Sequence, residues 1–170
     1  MRRGITRLVV FSAVIVVASV FYAGHVGATP GSGFTSTTLA KGKFGDIDVF
    51  NKFILPKGGI WLSLQKTEGD SDLYVQSNTW QPGGTTGWHT HPGHSLIIVT
   101  AGTVTEYDGN DPTCTPHVYR QGMTFVDPGG THVHIVRNEG DVVATNIAVQ
   151  LIPAGQPRRI DVADPGNCPF

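Results

Sequence analysis

The chain is poor in several of the usual marks of chemistry. It has no GxSxG, no glycine-rich phosphate loop and no HExxH. These absences remove the common signatures of a serine hydrolase elbow, a nucleotide cradle and a helical zinc protease. A Ser-His-Asp triad is not excluded, because its members need not be neighbours in sequence, but nothing points to one. Basic runs are also missing. Beyond residue 28 Arg158-Arg159 is the longest, which argues against nucleic acid as a partner. No Asn-x-Ser/Thr sequon occurs, so nothing suggests N-glycosylation. Cysteine is scarce, with 2 in 170 residues. Beyond residue 28 no 11-residue window carries a 3.6-residue apolar period, so amphipathic helices are not expected.

The N-terminus supplies the one long apolar run. Arg2, Arg3 and Arg7 precede Leu8–Ala23, and Val26-Gly27-Ala28 places small residues before Thr29-Pro30. Residues 1–28 therefore read as a signal peptide cleaved near Ala28. The alternative is an uncleaved anchor, for which the run is slightly short. Cleavage implies a secreted or cell-envelope protein with no stable membrane span. It also shifts the formal charge from −1 to −4, leaving 9 basic against 13 acidic residues. The remaining length suits one domain with one core.

Residues 29–43 are rich in Gly, Ser and Thr and read as a linker or N-terminal arm. From Phe44 onward the chain breaks into short β-like runs: 46–50, 60–64, 73–80, 96–100, 102–107, 118–120, 124–126, 132–136 and 142–152. Gly, Pro, Asn or Asp separates most of them, and the chain's 22 glycines and 11 prolines suit tight turns. This predicts an all-β sandwich or barrel over 44–170. Trp61, Trp80, Trp88, Tyr119 and Phe125 are expected in the core, with Trp88 on the opposite side of its strand from His89. His117 and Arg137 are expected at the surface.

Histidine is where the chemistry gathers. Three of the 7 histidines, His89, His91 and His94, fall between Gly83 and Gly102, and His132 and His134 lie further on. His89/His91 and His132/His134 are both i, i+2 pairs. In a strand that spacing puts both imidazoles on one face, whereas a helix would separate them by roughly 200°. Two such pairs, each opening an apolar run, suggest neighbouring strands that present imidazoles to one metal. The alternative is turn and strand histidines bonded to backbone or water.

These two stretches resemble the paired motifs of the cupin superfamily. The first motif is matched by Gly83, five residues, His89 and His91, then Ser95 where a glutamate is usual, six residues, and Gly102. The second is matched by Gly122, five residues, Pro128 and Gly130, then His134 after three residues rather than two, and Asn138. The resemblance covers roughly 83–138. It selects a jelly-roll-type barrel and implies His89, His91 and His134 as ligands of a divalent transition metal (Fe, Mn, Zn, Ni or Cu). Asn138 becomes a support of the barrel. His94 enters as a substitute ligand only if a bulge turns it inward. The extra residue before His134 implies a longer turn, or else makes His132 the inward histidine. Three imidazoles without a carboxylate occur among cupin-like thiol dioxygenases, and such a site leaves a divalent ion at +2. Homodimers are common in this superfamily.

Cys114 and Cys168 read as one disulfide tying the 108–118 loop to the C-terminal tail, in keeping with export. The alternative is a pair of reduced metal ligands. Two functions follow. One is a metal-dependent oxygenase or isomerase of a small molecule, with Glu106 and Asp108 as bases only if they face the cavity. The other is a non-catalytic cupin that binds a small molecule or metal in the envelope.

Overall fold

The computed structural model describes residues 27–170. The signal-peptide expectation over 1–28 therefore lies, but for its last two residues, outside the described part. Twelve strands occur among the described residues: β1 (Ser32–Phe44), β2 (Ile47–Ile54), β3 (Ile60–Thr67), β4 (Ser71–Thr85), β5 (His89–Thr90), β6 (Ser95–Ala101), β7 (Thr103–Asp108), β8 (His117–Arg120), β9 (Thr124–Asp127), β10 (His134–Arg137), β11 (Ala144–Pro153) and β12 (Ile160–Asp161). Among these residues no helix is long and apolar enough to cross a membrane.

Ten strands form one sheet that curls into a jelly-roll-type barrel. Its main path runs β12-β5-β10-β4-β11-β6-β9; β1 adds to β4, and β7 joins β10 to β8. The long β4 closes the curl. It pairs with β1 and β11 along its length and with β10 at Thr85. All pairings are antiparallel, and the two-residue period of each strand sorts side chains into inner and outer sets, interrupted by register shifts at Thr38/Ala40 and Thr145/Asn146. Gln76, Asn78 and Trp80 of β4 point inward, as do Ser95, Ile97 and Val99 of β6 and Asn146, Ala148 and Gln150 of β11. Leu96 and Ile98 fall on the outer face of β6 and are exposed.

Two apolar clusters result. Trp80, Val99, Val104, Val136 and Ala144 fill one end of the barrel, with Phe34, Tyr119 and Phe125 packed against them. Trp88, Tyr107 and Ile135 form an outer cluster beneath Val133, Val162 and the cystine. Trp88 thus lies across its strand from His89, as alternation requires, and is fully buried by the C-terminal tail. The Cys114–Cys168 disulfide has a sequence separation of 54. Asn138 is buried, and its side-chain amide donates to the carbonyls of Trp80, Gln81 and Val142. It holds the entry to β11 against the end of β4, a supporting role.

Three expectations need correction. Residues 29–43 are not a linker: β1 pairs with β4 from Ser32 to Phe44, and Phe34 packs on Trp80 at a ring distance of 4.9 Å. As an edge strand with a solvent-facing side it needs little apolar content, which hid it in the sequence. The barrel does not take in all of 44–170, because β2 and β3 form a separate two-stranded hairpin. Trp61 belongs to that hairpin and is 51% exposed rather than in the core.

Candidate metal centre

The sequence places the histidines by local geometry. His89 lies on β5 and His91 just beyond it; β5 pairs with β10 so that His89 stands directly opposite His134. The ring centroids of His89 are 4.8 Å from His91 and 4.3 Å from His134. Each of the three offers a nitrogen within 4.8 Å of the other two. On β10 the alternation is explicit: His134 and Val136 line the cavity, while Ile135 enters the outer cluster.

Hydrogen bonds set the tautomers. His89 Nδ1 donates to the Gly87 carbonyl at 2.9 Å, and His91 Nδ1 donates to the Arg158 carbonyl. A carbonyl only accepts, so Nδ1 carries the proton in both rings and Nε2 keeps its lone pair for a ligand. His134 Nδ1 is buried with no hydrogen-bond partner. These are the features a cation site requires: free basic nitrogens, converging, and one of them unsatisfied. Burial is also the main reason that all three imidazoles titrate below their ordinary value, His89 well below it and His134 at about 4. They are neutral at pH 7, the form in which histidine binds metal.

A pH dependence follows for the metal-free protein. The native state keeps His134 neutral from its ordinary 6.5 down to about 4, while the unfolded chain protonates it across that window. Its contribution is complete above about pH 6.5 and is lost as pH falls toward 4. For His134 that loss is about 3 kcal/mol. Thermal denaturation of chelator-treated protein between pH 7 and 4 should show the melting temperature falling, and less steeply in His134→Gln. Equal slopes in the two proteins would contradict it.

His132 has different surroundings. Its Nδ1 lies 3.3 Å from Asp127 Oδ1, and its Nε2 lies 3.6 Å from Asp108 and 3.8 Å from Glu106. The hydrogen bond to Asp127 is the main cause that holds its pKa above the ordinary value. Burial opposes ionisation of Asp127, but the bond from His132 and the nearby His134 and His91 outweigh it, and the net shift is downward. Glu106 titrates above its ordinary value because it is buried. It stands behind His132 and does not line the cavity.

The second histidine pair is therefore split. His134 joins His89 and His91, and His132 sits in a longer turn, where its N–H donates to the Gly129 carbonyl at 3.2 Å. Gly129 has a φ of 68°, and a side chain there would collide with the Gly93 backbone. This close approach docks the turn on the loop that carries His91, and Gly130 N–H donates to the His91 carbonyl at 2.7 Å. His94 is not brought into the group; it lines another cavity, beside Glu68 and Asp70.

Asp127 was missed by sequence reasoning. It is 3% exposed, lines the same cavity, and groups with His132 and His134 as a second set of candidate ligands. The available signal was its place two residues after the inward Phe125. The cavity has a volume of about 120 Å³. Opposite the histidines it is walled by two buried amide pairs, Gln76–Gln150 at 3.1 Å and Asn78–Asn146 at 2.9 Å. Arg158 and Arg159 complete the wall.

Residues 78–150 match the family model described as Cupin domain. The chain carries a cupin domain. The matched span of this cupin runs from mid-β4 into β11 and contains His89, His91, Asp127 and His134. Among solved structures, it is similar to an oxalate oxidase in complex with the substrate analogue glycolate, with 26% identity over 53% of this chain and 46% of that one, TM-score 0.45. It is also similar to a double-stranded β-helix protein from Klebsiella pneumoniae, with 20% identity over 53% and 74%, TM-score 0.45. A third is Peruvianin-I, a cysteine peptidase from Thevetia peruviana latex, with 26% identity over 54% and 56%, TM-score 0.44. The alignment spans less than half the length of the oxalate oxidases. No curated protein matches the chain. Overlap of this extent leaves the chemistry to be argued from the site.

Proposed function

We propose that this cupin holds one divalent first-row transition metal (Fe, Mn, Zn, Ni or Cu) through His89, His91 and His134, and acts on a small polar or anionic molecule as an oxygenase or isomerase. The observation that carries the reading is the convergence of three neutral imidazoles within 4.8 Å, two buried and one partly buried, with the tautomers of His89 and His91 fixed for ligation. A bound metal would supply Lewis acidity and open coordination positions to the molecule in the cavity. The chain's own contribution is orientation. The amide pairs offer donors and acceptors to a polar group in the cavity.

A non-catalytic binding protein is the second reading. It is favoured by the position of Glu106, which puts that carboxylate behind His132 rather than on the cavity. Export to the envelope belongs to the proposal and is supported by the disulfide, which persists in an oxidising compartment. A homodimer belongs to it as well. The β2–β3 hairpin supports this, because both its faces carry exposed apolar side chains: Phe50 and Leu64 on one, Phe53 and Trp61 on the other.

Crystals grown with Mn(II) or Zn(II) test the centre. Anomalous scattering should give one peak bonded to the three imidazoles. A peak elsewhere, or none, would contradict the reading.

A further inference from the structure

The usual cupin glutamate is replaced here by Ser95, a side chain too short and too weakly acidic to serve as an anionic ligand. The strand register shows what stands beside it. In the antiparallel β6–β9 pair, Ser95 is directly opposite Asp127. Both are inward and both line the cavity with the three histidines. We propose that Asp127 supplies from β9 the carboxylate that the chain lacks at position 95, and that its Oδ2 is the fourth protein ligand of the metal. This rests on the three-histidine centre proposed above.

The two carboxylate oxygens have different surroundings. Oδ1 accepts the Gly129 N–H at 2.9 Å and lies 3.3 Å from His132 Nδ1, so one side of the group is anchored. Oδ2 is buried with no hydrogen-bond partner. It lies 3.6 Å from His91 Nε2, the nitrogen left free when Nδ1 bonds the Arg158 carbonyl. His134 Nδ1, also buried and without a hydrogen bond, is 3.8 Å from Oδ1. An ionised oxygen with no partner in a barrel interior is costly. Two ligand atoms that share one ion at about 2.1 Å stand roughly 3.0–3.4 Å apart. The observed Oδ2–Nε2 gap is only slightly wider, so a small closing movement brings both onto one ion. The orphaned oxygen, the free lone pair on Nε2 and the missing glutamate then have one explanation.

The site's charge changes with it. Three imidazoles alone leave a divalent ion at +2, whereas Asp127 lowers the centre to +1, as a glutamate at position 95 would. The ligand set is kept while its carboxylate moves to the neighbouring strand.

The test is a carboxylate exchange on metal-stripped full-length protein, with Mn(II) and Zn(II) affinities measured by competition against a chromophoric chelator. Asp127→Asn keeps the acceptor for Gly129 and removes the charge. It should weaken binding by more than about a hundredfold, beyond the 10–100-fold typical of an outer partner. Adding Ser95→Glu to that variant should recover at least about tenfold, a rescue that a purely structural role of Asp127 would not give. Metal-free melting curves establish that each variant is folded. Wild-type affinity in Asp127→Asn would overturn the proposal, as would loss without recovery in the folded double variant. His89→Ala separates the two levels. If it loses metal while Asp127→Asn keeps it, the three-histidine centre stands and Asp127 is not a ligand. If it keeps metal, the centre itself is wrong.

Discussion

His134→Ala should remove the metal, and His132→Ala should leave it bound. The two histidines are separated by one residue, and a motif match with one extra residue in the turn does not choose between them. The structure separates them by burial and partners. His134 is enclosed, faces His89 across the β5–β10 pair and keeps an unsatisfied nitrogen. His132 is committed to Asp127 and flanked by Asp108 and Glu106. Structural zinc sites bind with about 10–16 kcal/mol shared among four ligands, so one ligand lost costs about 2.5–4 kcal/mol, or roughly two to three orders of magnitude in affinity. Loss of His132 should stay within the roughly 10–100-fold change of an outer partner, acting through the orientation of Asp127. Titration of both variants with Zn(II) checks this. Metal lost from His132→Ala and kept by His134→Ala would reverse the assignment.

Removing the disulfide should be the largest stability change available outside the barrel core. Cys114 and Cys168 close a loop with a sequence separation of 54, for which chain entropy alone gives about 4 kcal/mol. For a domain of this size that corresponds to a fall in melting temperature of roughly 8–16 °C. The effect has a structural reason beyond the loop. The tail after β12 has few apolar residues of its own, yet Val162 and Cys168 cover Trp88, and Phe170 meets Tyr107 edge-on with ring centroids 4.9 Å apart. Without the covalent tie that cover frays, and Trp88, adjacent to His89, meets water. Thermal melts of the Cys114→Ser/Cys168→Ser double variant measure the change. A fall of less than about 2 °C would show that packing alone holds the tail.

Short β-like runs parted by turn residues, with no helical period, made the all-β class legible, and the motif resemblance selected the barrel. The two-residue spacing of His89 and His91 placed two imidazoles on one side of a strand. Side-chain period alone does not reveal who pairs with whom. Strand β1 has Gly, Ser and Thr facing solvent and looked like a linker, because its order comes from the backbone of β4. The β2–β3 hairpin carries Phe50, Phe53 and Trp61 and read as barrel, because a sequence shows that residues are apolar but not that no partner covers them. Asp127 reads as the end of a strand before a proline turn. Its meaning lies in a cross-strand register with Ser95, which exists only once β6 and β9 are placed side by side. His94, one residue out of phase with Ser95, stayed outside the group as the pleat requires.

Metal content is the most direct test of the centre. Plasma mass spectrometry of the protein made in its natural compartment and washed without chelator should find about one transition-metal ion per chain, lost in His89→Ala, as a single set of histidine ligands requires. Equal content in wild type and variant, or no metal in a folded wild-type protein, would contradict a histidine-held metal centre in this cupin.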